Sequence, residues 1–164
     1  MGVMNTPMTN VPSIQQIADD YPQFNFRSAD IFYWSPKNGC VCYIEDQLFD
    51  LDGIFQLLHE LGHALLGHRY FNSSIHLLKI EAEAWQKATI VAKNYDLVIP
   101  QNTIESSLDS YRDWLHRRSV CPECESISVE SDTNHYHCFT CGQNWTVPDH
   151  QQTRCYRRKL STST

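Results

Sequence analysis

The run FQLLHELGHALLGH, residues 55–68, sets His59, Glu60, His63 and His68 among leucine, alanine and glycine. An α-helix turns about 100° per residue, so His59 and His63 stand about 40° apart on one face, where two ring nitrogens can serve one metal ion. Glu60, about 100° from His59, borders that face and can reach a metal-bound water without itself being a ligand. Ile54, Leu57, Leu58, Leu61 and Leu65 fall on the opposite side. A core helix with satisfied histidines is the competing reading. It leaves a carboxylate and two imidazoles beside a leucine-rich face with no stated partner, and burying an unpaired carboxylate is costly. Gly62 within the helix weakens it by about 1 kcal/mol relative to alanine, which points to another backbone packing closely there.

Two histidines do not complete a catalytic zinc site, which takes three protein ligands and one open position. His68, His76, Glu81 and Glu83 are the candidates for the third. His68 lies about 140° round from His63 on a continued helix and would point away. Arg69 stands where the metzincin pattern requires a histidine, which excludes that class. In the next helix Leu77, Ile80, Ala84, Ala88, Val91, Ala92 and Tyr95 form one apolar stripe, and Glu81 falls within it. A buried glutamate needs a partner, and a metal held by the neighbouring helix would be one. Glu83 projects elsewhere, beside Lys79 and Lys87, and is expected to pair with Lys87 at i,i+4. The expected set is His59, His63 and Glu81, with His76 as the alternative third ligand. Tyr70, His76 and Tyr111 are candidate donors to an oxyanion, and nothing in the sequence chooses among them.

Cys121, Cys124, Cys138 and Cys141 form a second constellation, CxxC, thirteen residues, then CxxCG. The spacing is that of a zinc ribbon, in which two knuckles bring four thiolates to one closed tetrahedral ion, so this zinc is expected to be structural. His135 and His137, between the knuckles, read as strand residues. Cys40, Cys42 and Cys155 are left as free thiols, and disulfides are disfavoured in a chain that shows no secretion signal. Trp145 and Tyr156 with the basic end of the chain could follow single-stranded nucleic acid, bind a partner protein, or brace the preceding helix. A local net charge near zero favours the last two.

The elements that must position these groups are legible from capping and periodicity. Ser13 is the expected N-cap of a short helix, and Asp50 or Asp52 that of the histidine helix, which is expected to run to about His68. Between them FNFRSADIFYWSPKNGCVCYIED reads as a β-hairpin with Cys40–Ile44 as its second strand. GCVCYI could be an open sheet edge that takes an extended substrate, or an ordinary half-buried strand. Long helices follow at about Ile75–Tyr95 and over IESSLDSYRDWLHRR. The fold class is α+β, with a small antiparallel sheet packed on helices. The organisation is a flexible lead (1–10), a helical and sheet body (11–118), the ribbon (119–150) and a basic solvated tail (151–164).

Net charge supports that division. Residues 1–115 carry 7 Lys/Arg against 14 Asp/Glu, and residues 116–164 carry 6 against 5, giving the overall −6. The acidic body is a poor nucleic-acid binder, so any such binding would start from Arg154, Arg157, Arg158 and Lys159. No run approaches the roughly 18 apolar residues of a membrane span, and the expected location is the cytoplasm. The start matches the MGxxx[ST] acylation pattern, which is short enough to recur by chance.

HELGHALLGH followed by a helix bearing EAEAW resembles the ImmA/IrrE family of gluzincin-type metallopeptidases over roughly residues 20–100. The resemblance implies a zincin-like domain and hydrolysis of peptide bonds in a protein substrate. It implies a catalytic zinc on His59, His63 and Glu81, with Glu60 as general base toward the zinc-activated water. The family's glutamate sits in ExxA followed by Asn or Asp. Glu81 and Ala84 fit that frame, and Trp85 departs from it because an indole cannot accept a hydrogen bond. SprT-like proteases, which act on DNA-bound proteins, also join HExxH to a ribbon. They take a downstream histidine as third ligand, and His76 is the residue at a compatible distance. A regulatory protein whose zinc only holds the fold is the non-enzymatic alternative, and an intact Glu60 weighs against it.

Overall fold

The computed structural model describes residues 11–148 and 155–161, so the lead expected over residues 1–10 and its acylation pattern lie outside the described residues. Within them the chain is α+β. In order it forms α1 (Ile14–Asp20), β1 (Asn25–Ser28), β2 (Tyr33–Ser35), β3 (Cys40–Tyr43), α2 (Leu51–Leu66), α3 (Ser74–Ala92), α4 (Gln101–Ser119), β4 (Val129–Asp132), β5 (His135–His137), β6 (Asn144–Thr146) and β7 (Arg158–Leu160). No helix among the described residues is long and apolar enough to cross a membrane.

Short-range chemistry sets the helix ends. The Ser13 hydroxyl accepts the Gln16 N–H at 3.1 Å and caps α1. The Asp50 carboxylate accepts the Gly53 N–H at 2.8 Å and caps α2. At its other end α2 stops at Leu66, short of the expected His68, because Gly67 adopts a left-handed φ of 68°. The Gly67 N–H returns to Ala64 O at 3.1 Å and the His68 N–H to His63 O at 3.0 Å, which closes the helix and turns the chain back.

Two compact units divide the chain, and the boundary passes through α3. The first comprises residues up to Arg69 together with Glu83–Pro100. Its sheet has the order β1-β3-β2. The expected hairpin is β2 and β3, paired antiparallel with Trp34 opposite Val41. β1, however, runs parallel to β3, so the sheet is mixed rather than antiparallel. β1 and β2 run opposite to each other with one strand's width between them, and β3 returns through the 36–39 turn to fill it. β3 is therefore central and paired on both sides, with Val41 and Cys42 fully buried. It is not the open edge considered from its sequence; β1 and β2 are the edges.

The core of this unit joins Val41 of β3 to Ile54, Leu57, Leu58 and Leu61 of α2 and to Ala84, Trp85, Ala88 and Ala92 of α3, all fully buried. α2 and α3 touch backbone to backbone at Gly62, where an added Cβ would lie 2.5 Å from Ala84 O. Gly62→Ala is therefore expected to destabilise the protein by about 1–3 kcal/mol through overpacking, in spite of alanine's better helix propensity. A urea midpoint equal to or above that of the wild type would contradict this contact.

The second unit comprises Tyr70–Ala82 and residues from Gln101 onward. Leu77 and Ile80 pack with Trp114, Phe71, Tyr111 and Leu115. Its sheet, β4-β5-β6-β7, is antiparallel throughout. β7 corrects the expectation of a solvated tail at Arg158–Leu160. Lys159 lies opposite Trp145 and reaches the Glu123 carboxylate, and Arg157 donates to Val120 O at 2.7 Å. Ion pairing and a free β6 edge order a segment that composition alone assigns to solvent. Residues 151–154 and 162–164 lie outside the described residues.

α4 falls in the same unit as the cysteine module. Arg118, 1% exposed, is the reason. Its guanidinium lies 4.0 Å over the Trp114 ring, donates to Asn134 Oδ1 at 2.5 Å and to Pro148 O, and faces Glu130 at 3.9 Å. The buried Trp145 indole donates to Arg118 O at 3.0 Å.

Candidate metal centres

α2 and α3 bring His59, His63 and Glu81 together. One ligand atom from each lies within 4.8 Å of the others, and the three residues are 4%, 7% and 5% exposed. The two Nε2 atoms are 3.2 Å apart. Two nitrogens at about 2.0–2.1 Å from a tetrahedral ion stand about 3.3–3.4 Å from each other, so the pair has the spacing of two corners of such a site. Glu81 sits on the same unbroken helix as Ala84 and Trp85, one turn before the Gly62 contact, so its position follows from that helix. Trp85 stacks on the His59 ring with centroids 4.4 Å apart and planes 26° off parallel. The group could hold a metal ion.

Glu60 borders the group without joining it. Its Oε2 accepts the backbone N–H of Trp34 at 2.8 Å, so the carboxylate is fastened to β2, the edge strand beside α2. The Trp34 indole donates to His68 O at 2.7 Å and stands edge-on to Phe24, with centroids 5.5 Å apart. A cleft of 240 Å³ borders Trp34, with Phe24, Ala64, Gly67 and Arg69 also in its walls; His59, Glu60, His63 and Glu81 do not line it.

His68 is not where the helical wheel puts it. Because the chain turns at Gly67, the His68 ring comes back to α2, with its Nδ1 2.9 Å from His63 Nδ1. Glu83, expected to pair with Lys87, places Oε2 3.5 Å from His68 Nε2. His76 does not enter the metal group; its Nδ1 accepts the Asn72 N–H at 3.3 Å. Of the candidate oxyanion donors, Tyr70 is 80% exposed and Tyr111 packs against the Leu77–Ile80–Trp114 cluster.

The four ribbon cysteines also converge. Cys121 and Cys141 Sγ are 3.6 Å apart, as are Cys124 and Cys138, and all four fall within 4.8 Å. A disulfide requires about 2.05 Å, whereas sulfurs at about 2.3 Å from a tetrahedral ion lie about 3.8 Å apart. All seven cysteines are free thiols. Each knuckle turns in the same way, with Glu125 N–H on Cys121 O at 3.1 Å and Gly142 N–H on Cys138 O at 2.9 Å. The Ser126 hydroxyl holds the Cys138 thiol down to about 5. Against a lowering hydrogen bond from Gln143, burial and the neighbouring thiols push Cys141 up to about 12. Four sulfurs this close cannot all ionise without a cation among them, which is what a metal would provide. His135 and His137 are strand residues of β5.

No protein-family model, curated protein or solved structure matches this chain.

Proposed function

We propose that the chain is a zinc-dependent peptidase of the ImmA/IrrE type that hydrolyses peptide bonds in a protein substrate. The observation that carries this is the pairing of a three-residue donor set, His59, His63 and Glu81, with a carboxylate, Glu60, that lies beside the set and is held by another element. Two imidazoles and one carboxylate with a fourth position open are the donor chemistry of catalytic zinc. Bound there, zinc would acidify a water and polarise a substrate carbonyl.

The chain's own residues supply the rest. The Trp34 N–H holds the Glu60 carboxylate in place beside the donor set, where it would take a proton from the attacking water. The same carboxyl then returns the proton to the departing amine. β2 offers an extended peptide an edge alongside α2, and the Phe24–Trp34 cleft would take a substrate side chain. The four cysteines hold a second, structural zinc. With Trp145 bonded to α4, the ribbon's role is to brace that helix, or to dock a partner protein, rather than to bind nucleic acid. A SprT-like protease using His76 is the second reading, and the His76–Asn72 hydrogen bond speaks for Glu81 instead.

Glu81→Gln and His76→Ala separate the two. Glu81→Gln is expected to leave one zinc per chain and no proteolysis of an unfolded protein substrate, and His76→Ala to keep both ions and full activity. The reverse pattern would transfer the site to the SprT-like reading.

A further inference from the structure

We infer that His68 and Glu83 are positioning residues, a two-member relay that sets the tautomer and ring angle of His63 for the metal. The inference rests on the metal reading of His59, His63 and Glu81. His63 presents Nε2 to His59 Nε2 at 3.2 Å, so Nε2 is the nitrogen on the metal side. On the far side of the ring its Nδ1 lies 2.9 Å from His68 Nδ1. Two ring nitrogens at that distance share one proton. A ligating nitrogen must be bare, so the His63 proton resides on Nδ1 and His68 Nδ1 accepts it. His68 then carries its own proton on Nε2, the atom that faces Glu83 Oε2 at 3.5 Å.

The order of groups is carboxylate, imidazole, imidazole, metal site, and each proton has one assignment consistent with the next. An acceptor on the far nitrogen of a ligating histidine locks its tautomer and raises the basicity of the ligating nitrogen.

Three features hold the relay in place. The Gly67 turn and the bond from His68 N–H to His63 O at 3.0 Å set the distance between the two rings. The Trp34 indole clamps His68 O at 2.7 Å, from the residue whose backbone N–H holds Glu60. Glu83 follows Glu81 by two residues, so one stretch of α3 supplies both a ligand and the anion at the far end of the relay. The two histidines are supported differently, His59 by a stacked indole and His63 by an imidazole backed by a carboxylate.

The test measures metal affinity of the full chain, with zinc titrated in competition with a chromophoric chelator and the ribbon's zinc as internal reference. His68→Ala is expected to weaken the His59–His63–Glu81 site by about 10–100-fold and leave the ribbon unchanged. His68→Asn, whose amide oxygen can stand where Nδ1 accepted, is expected to recover most of that loss. Glu83→Gln should show a smaller loss, because Glu83 is partly solvated. Cobalt in the body's site is expected to shift its visible bands in His68→Ala and not in His68→Asn. Unchanged affinity in His68→Ala overturns the relay, and equal losses in the Ala and Asn variants reduce His68 to a packing residue. A wild type that binds one zinc only overturns the relay and the peptidase reading together. Two ions with the expected variant pattern but no proteolysis would leave the relay standing and sink the peptidase reading alone.

Discussion

Glu60→Gln is expected to lower proteolysis by about 10²–10⁴-fold while both zinc ions stay bound. Glu60 is outside the group formed by His59, His63 and Glu81, so replacing it removes no ligand atom. Glutamine keeps an oxygen that can accept the Trp34 N–H, now bonded to Glu60 Oε2 at 2.8 Å, so the contact between β2 and α2 survives. Only the capacity to take and return a proton is lost. The loss should therefore appear in kcat, with KM and thermal stability near those of the wild type. Metal content by atomic absorption and cleavage of an unfolded protein, measured side by side, decide the matter. Activity indifferent to Glu60 would mean that the zinc only holds the fold, and loss of a zinc ion in Glu60→Gln would mean that Glu60 is itself a ligand.

Cys138→Ala is expected to unfold the cysteine module rather than loosen it. The apolar core there is small: Cys121, Tyr136, Cys138, Trp145 and Val147. Two of those five, Cys121 and Cys138, belong to the four-sulfur cluster that could hold a metal, so losing a bound ion would loosen part of the core with it. Structural zinc contributes about 10–16 kcal/mol to small modules of this kind, against a total of about 5–15 kcal/mol for a typical domain, so no reserve covers the loss. β7 should be released with β6, and Trp145 should leave its bond to Arg118 O. The expected result is one zinc per chain, a red-shifted tryptophan emission and new protease-sensitive sites after α4. A variant with unchanged zinc content and an unchanged melting profile would show that the cysteines do not hold the module together.

Sequence and structure agree most closely where a feature repeats along one helix or depends on residues a few positions apart. The 40° separation of His59 and His63 and the place of Glu81 in the apolar stripe of α3 follow from helical geometry alone. So do the cap at Ser13 and the close approach at Gly62, which shows as a costly glycine inside a helix, while of Asp50 and Asp52, both open from the sequence, the structure uses Asp50. The cysteine spacing works in the same way, since each CxxC pair closes within one turn.

His68 departs from its local expectation. The helix on which its angle is reckoned ends at Leu66, because Gly67 leaves the right-handed region and sends the chain back over His63. Gly67 itself was the available signal, a glycine just past the last periodic residue. Glu83 follows from the same cause. Lys87 is the partner the i,i+4 spacing offers, whereas His68 approaches from another element.

By itself, then, the sequence determined the two donor clusters, the helices that carry them and the carboxylate beside one of them, because residues within a helix or a knuckle are placed by local backbone geometry. Only the tertiary structure decided that β3 is central and β2 the edge, that Arg158–Leu160 forms a strand, that Arg118 is buried, and that His68 and Glu83 stand behind His63. Each of these depends on which distant segment occupies the adjacent space, and strand order, burial of a charge and a ring-to-ring contact leave no periodic trace along the chain.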